Sequence, residues 1–205
     1  MGRRFSMVAA ISALPVLLGI AGCVQHEDGW ATGYRPDHAD KIAVVMPQGA
    51  PSISQQFFRD RSGYGHAGID IVGRIGSPVI AAASGQVIVS YFEPAYGNRV
   101  TIDHGPNSAG LRTITVYKHL NSRAVSAGDR VERGQHIATL GNTGGLAGGI
   151  PHLHFEVQRE VRPKVLRAVD PHTMWVNGVG QVSCFDPATS YDLAQFGATY
   201  PVPCN

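Results

Sequence analysis

The chain has 205 residues, 43% hydrophobic and 16% charged, with a formal net charge of +2. That length supports one domain with a substantial core rather than two, and the composition excludes an intrinsically disordered chain. So small a charge leaves no electrostatic footprint for nucleic acid, and no nucleic-acid partner is expected.

Met1-Gly2-Arg3-Arg4 is a positive start, and the run from Met7 to Gly22 is apolar but contains Pro15. It is short for a membrane-spanning helix, which needs roughly 20 residues, and it reads as a secretory signal over residues 1–22. Ile20-Ala21-Gly22-Cys23 resembles the bacterial lipoprotein cleavage box. That resemblance implies cleavage before Cys23, diacylglycerol on its sulfur, and a membrane anchor in the cell envelope, on the periplasmic face of the outer membrane. The alternative is plain signal cleavage near Ala21 or Gly22. Without Arg3 and Arg4 the basic and acidic side chains balance at 15 each, so net charge steers nothing.

Residues 23–45 show no periodicity over most of their length and read as a tether, ending in a short apolar strand from Lys41 to Met46. A polar stretch reaches Ser62. From Ile69 to Val157, β-branched runs alternate with glycine turns: IDIVG, PVIAAASGQVIVSYF, NRVTIDHG, RTITVYKHL, HIATLG and LHFEV. None has a helical period. The expectation is an all-β domain over residues 46–175, built from antiparallel sheets. Residues 176–205 form an extension holding Cys184 and Cys204, an even pair in an oxidising compartment once Cys23 is lipidated. They are expected to form a disulfide; two buried free thiols are the alternative.

Three segments carry chemistry. In GYGHAGIDIVG, His66 and Asp70 are four apart, and the glycines and β-branched residues favour one strand face presenting both. In PHLHFEV, His152 and His154 are two apart and project the same way from a strand. A catalytic zinc takes three protein ligands and keeps one position open, so His154 could complete a set with His66 and Asp70. Either pair alone is a weak signal. The third segment, Thr115-Val116-Tyr117-Lys118-His119-Leu120, adds another histidine.

In this order, the segments resemble the lysostaphin/LytM-type zinc endopeptidases, peptidoglycan DD-metalloendopeptidases. The likeness runs from about Pro47 to Trp175 and includes HAGIDI, VIAAASGQV, YGN at 96–98, IDHG, YKHL, GNTG at 141–144, PHLHFEV and VDP at 169–171. It implies a β-sandwich of the LytM/duplicated-hybrid-motif type, with zinc (Zn2+) held by His66, Asp70 and His154. His119 and His152 would act on water and substrate, and the substrate would be the stem peptides of peptidoglycan. His104, in IDHG, is expected to be structural; His26, His38, His136 and His172 are expected to be surface or structural. The segment GPNSAGLR after His104 is longer than the family's usual turn and is expected to alter the groove rim. Some members of this fold have lost ligands and activate cell-wall amidases instead; here all five motif residues are present. No residue assigns a divisome or amidase partner.

If Cys23 carries lipid, Cys23→Ala should leave the protein soluble in the periplasm or uncleaved, as read by membrane fractionation and precursor size. A fully membrane-bound, normally processed variant would refute the anchor.

Overall fold

The structure is a computed structural model that describes residues 42–60, 65–191 and 195–205, together with Gly2. The signal, Cys23, most of the tether, His26 and His38 lie outside those residues. Among the described residues no helix is long and apolar enough to cross a membrane.

The strands in chain order are β1 (Ile53–Gln55), β2 (Phe58–Arg59), β3 (Gly65–His66), β4 (Ile69–Val72), β5 (Pro78–Ile80), β6 (Gly85–Glu93) and β7 (Gly97–Pro106). There follow β8 (Arg112–Leu120), β9 (Ser122–Arg123), β10 (Arg130–Val131), β11 (His136–Thr139), β12 (His152–Arg162) and β13 (Val165–Val169). The main sheet runs β1-β4-β12-β8-β7-β6-β10, with β13 also on β12; β5-β11-β9 form a second sheet and β2-β3 a small ribbon. Every strand ladder is antiparallel. The expected all-β antiparallel class is what the chain adopts.

Alternation explains the central strand. Leu153, Phe155 and Val157 point one way and are fully buried in a core with Ile69, Ile71 and Tyr117. His152, His154 and Glu156 point the other way and are also buried. Both faces of β12 are covered, one by apolar packing and one by polar neighbours.

The expectation of one continuous strand through His66 and Asp70 is corrected. His66 ends β3, which pairs with β2, whereas Asp70 belongs to β4 in the main sheet. The break falls at Gly68, where a Cβ would lie 2.1 Å from the carbonyl oxygen of Phe155. The chain must turn there against β12, and only glycine permits that approach.

Residues beyond Trp175 enter the same core. Val182, Ala198, Tyr200 and Val202 are buried in it, and the Tyr200 hydroxyl donates to the carbonyl of Pro51 at 2.7 Å. Cys184 and Cys204 are joined by a disulfide that spans 20 positions. His172 is buried between two fixed partners: its Nε2–H donates to Gln56 Oε1 at 2.7 Å and its Nδ1 accepts from Trp175 Nε1 at 3.0 Å. His136 is exposed on β11.

Two predictions follow from this packing. Closing a loop of this length stabilises by about 3 kcal/mol, so Cys184→Ala with Cys204→Ala should unfold at correspondingly lower urea. An unchanged midpoint would mean that the tail does not depend on the crosslink. The second concerns acid. Burial lowers the His172 pKa from 6.5 to about 4. Between those values the unfolded chain binds a proton that the folded chain refuses, so stability falls as pH drops from 6.5 to about 4 and then levels. His172→Gln should flatten that slope by up to about 1.4 kcal/mol per pH unit. A slope equal to the parent's in urea titrations across that range would refute it.

Candidate metal centre

His154 lies opposite Asp70 on β4 and opposite Lys118 on β8, so the three residues form one row across the sheet. His66 reaches the row from the ribbon. Its Nε2 is 3.1 Å from Asp70 Oδ1 and 3.0 Å from His154 Nδ1, and His154 Nδ1 is 2.8 Å from Asp70 Oδ1. The sequence-derived set of His66, Asp70 and His154 is therefore brought to one point.

The hydrogen bonds fix which nitrogen of each ring carries the proton. A carbonyl oxygen only accepts, so the ring nitrogen facing it must be N–H and the other keeps its lone pair. His66 Nδ1–H donates to Gln56 O at 2.9 Å, His119 Nδ1–H to Thr143 O at 2.9 Å, and His152 Nδ1–H to Ile150 O at 2.8 Å. In each case this leaves the Nε2 lone pair as the free end of the ring. His154 Nε2 faces the Glu156 carboxylate at 2.9 Å and donates its N–H there; Nδ1 is the end toward His66 and Asp70, and in the neutral ring that nitrogen carries the lone pair.

The charges of the cluster shift its groups away from their ordinary pKa values. Burial pushes Asp70 upward, but the hydrogen bonds and charges of His154 and His66 outweigh it and hold the carboxyl well below the usual range. Burial opposes charging His154, yet Asp70 and Glu156 together raise its pKa. Burial lowers His119 to about 4, so at neutral pH this ring is unprotonated at Nε2.

Two nitrogen lone pairs and a carboxylate oxygen within 3.1 Å repel one another unless a cation lies between them. Tetrahedral ligands about 2.1 Å from zinc would be roughly 3.4 Å apart, and two imidazoles with one carboxylate suit that ion. The residues present fit a zinc ion.

His119 reaches the site by a departure from regular pairing. Asn98 pairs with Leu120 but Val100 pairs with Tyr117, so β8 carries one extra residue against β7. His119 sits in that bulge at φ 61°, in the left-handed region, with its N–H donated to Tyr96 O at 3.0 Å. A bulge re-aims a side chain; regular alternation would leave His119 on the face opposite Lys118. Its ring centroid lies 4.8 Å from that of His152, and His152 Nε2 is 3.8 Å from Asp70 Oδ1.

These side chains line a cavity of about 360 Å³ with Ser54, Gln55, Tyr96, Leu146, Ala147, Gly148 and Ile150. The rim closes where Gly97, at φ +69°, lets the β6–β7 turn approach Thr143; a Cβ there would meet Thr143 at 2.2 Å. Leu146 N and Gly145 N then donate to Ala95 O and Pro94 O. The expectation that GPNSAGLR shapes this rim is corrected. That hairpin projects between β7 and β8 and, with His104 and the C-terminal extension, lines a second cavity that shares no residue with the first. His104 is structural, bonded to Ser84 O and Thr115 Oγ1.

Sequence reasoning missed Glu156 and Lys118. Glu156 is 2% exposed, forms an ion pair with Lys118 and contacts His154. The signal was available: Glu156 follows His154 by two residues and must share its face.

The sequence matches the family model for Peptidase family M23 over residues 64–171, just over half of the chain. It is 44% identical over 91 residues to the peptidoglycan DD-endopeptidase ShyC of Vibrio cholerae, covering 44% of this chain and 19% of that protein. It is 36% identical over 105 residues to the lipoprotein NlpD/LppB homolog of Pseudomonas aeruginosa, covering 51% of this chain and 31% of the relative. The chain thus spans a fifth to a third of the length of these curated relatives. The solution structure of lysostaphin aligns at a TM-score of 0.51 with 25% identity, over 69% of this chain and 56% of that one. The chain belongs to Peptidase family M23, the family its HAGID, YKHL and PHLHFEV segments resemble.

Proposed function

We propose that this protein is a zinc-dependent endopeptidase that hydrolyses D,D-peptide cross-links of peptidoglycan, held in the bacterial envelope by a lipidated Cys23. The observation that carries the reading is the convergence of His66 Nε2, Asp70 Oδ1 and His154 Nδ1 within 3.1 Å, beside two further histidines. The DD-endopeptidase relatives support the substrate, and the lipoprotein relative supports the envelope location.

His66, Asp70 and His154 would hold the ion. When bound, zinc supplies Lewis acidity, bringing the pKa of a coordinated water to near 7 and polarising the scissile carbonyl. The chain's own residues do the rest. Asp70, its carboxyl held well below the usual range by His154 and His66, would take the ion without needing to lose a proton. His119, neutral at pH 7, can take a proton at Nε2 from the attacking water and return it to the departing amine nitrogen. His152, with its Nδ1–H fixed on Ile150 O, offers a second Nε2 lone pair beside it. Tyr96, Ala147 and Gly148 wall the groove, and the exposed Leu146 and Ile150 give its outer lip an apolar character.

Alanine at His66, Asp70 or His154 should strip zinc and activity together, since two ligands leave an incomplete site. His119→Ala or His152→Ala should keep close to one zinc per chain while turnover falls roughly 10²- to 10⁴-fold. The measurements are elemental analysis and mass spectrometry of muropeptides released from purified sacculi. Zinc loss from His152→Ala equal to that from His154→Ala would reverse the assignment of those two. A parent that binds no zinc, releases nothing and instead stimulates a cell-wall amidase would overturn the enzymatic reading in favour of an activator.

A further inference from the structure

We propose that Glu156 is a positioning residue for the metal centre: its buried carboxylate fixes His154 as the Nε2–H tautomer and so turns the Nδ1 lone pair toward His66 and Asp70. The inference rests on the reading of these three residues as a ligand set and extends it to the residue behind them.

The four histidines of the site are held in two ways. His66, His119 and His152 each donate one ring N–H to a backbone carbonyl. Only His154 uses a side chain. The topology explains the difference. His154 lies within β12 with β4 on one side and β8 on the other, so the neighbouring backbone is engaged in ladders. An acceptor for its ring must come from a side chain on the same face, and the next such residue along the strand is Glu156.

Glu156 is built for that task. An ionised carboxylate has no proton to give, so Nε2, held 2.9 Å from Glu156, is the nitrogen that keeps its proton when a cation takes Nδ1. A neutral imidazole has a single N–H, and Nδ1 is left as a lone pair. Both oxygens of the carboxylate are engaged: Oε1 also accepts from Lys118 Nζ, and Oε2 accepts from Gln158 Nε2. Its orientation is therefore fixed by three donors. Lys118 in turn lies over the ring of Tyr96, 4.1 Å from its centroid, and Tyr96 O holds the backbone of His119. One buried ion pair thus stands behind both the ligand His154 and the mount of His119.

Stability alone is a poor reason for such a pair. Burying two charges costs several kcal/mol each before their attraction offsets it, and apolar side chains of equal volume often serve as well. What an apolar pair cannot do is dictate which nitrogen of His154 is protonated. Residues that orient a ligand in this way typically alter metal affinity 10- to 100-fold when replaced.

The test uses the full-length protein and has two arms that do not depend on turnover. In the first, ¹⁵N-histidine NMR on metal-free parent, at a pH where the ring is neutral, should find His154 as the Nε2–H tautomer. A dominant Nδ1–H tautomer would overturn the proposal whatever any variant does. In the second, zinc affinity is measured by chelator competition for Glu156→Gln and for Glu156→Gln combined with Lys118→Met. The double variant removes both charges, so no unpaired ammonium threatens the fold. Zinc binding should weaken 10- to 100-fold, with mixed His154 tautomers. An affinity within about threefold of the parent, with only the metal-free melting temperature lowered, would make Glu156 merely structural and overturn the proposal. Failure of the parent to bind zinc at all would instead defeat the ligand assignment, which the tautomer arm does not depend on.

Discussion

The register of β12 is the constraint on which the rest depends. Leu153, Phe155 and Val157 are fully buried, and each contributes roughly 1.5–3 kcal/mol by leaving water. A slip of one residue would expose that set and drive His152, His154 and Glu156 into the apolar core. The hydrophobic face thus fixes the polar face to within one residue, and the paired strands β4 and β8 bring Asp70 and Lys118 to either side of His154. Rigid core packing is converted directly into the geometry of the cluster of His66, Asp70 and His154. Strands carry the reactive atoms, and turns carry the walls.

The polar face obeys a second rule. Four imidazoles and two carboxylates share a small, largely buried volume, where any unmatched polar atom would be costly. The structure satisfies each ring once from behind, through Gln56 O, Thr143 O, Ile150 O or Glu156, and leaves the other nitrogen for the site. This is why the backbone departs from regular strand geometry in two places. The turn at Gly68 carries His66 onto a separate ribbon, and the bulge at His119 rotates that side chain out of the core's row. A non-glycine residue in the left-handed region carries strain of order 1–3 kcal/mol. Here the hydrogen bond from its N–H to Tyr96 O and that from its ring to Thr143 O hold it in place.

Much of this was legible in the sequence, for identifiable reasons. Period-two alternation predicts that His152 and His154 share a face, and the β-branched runs with glycine turns predict the all-β class. The bulge at His119 was not legible, because nothing in TVYKHL marks an extra residue; it exists only relative to the register of β7. The break between His66 and Asp70 was mistaken for a continuous strand because spacing of four fits a strand face. The signal was Gly68, whose role depends on Phe155, nearly ninety positions away in the chain. Glu156 could have been found by extending the alternation two residues further. The C-terminal packing could not, since Tyr200 and Val202 offer no periodicity to read.

That last point bears on how the site is insulated. The family match ends at residue 171, yet the core continues through Trp175 to Val202. The extension packs Trp175 and Tyr200 edge to face, with Trp175 stacked on Phe155, directly behind the histidine face of β12. Among the described residues it meets the site through the core and not through the groove, whose described lining comes from residues 54–154. Changes at Tyr200 reach the site through Trp175 and Phe155, and hence through the packing of β12. Changes at Tyr96, Leu146 or Ile150 alter the groove without touching the core. The fold thus separates the residues that set stability from those that line the groove, and the strand that joins the two is β12.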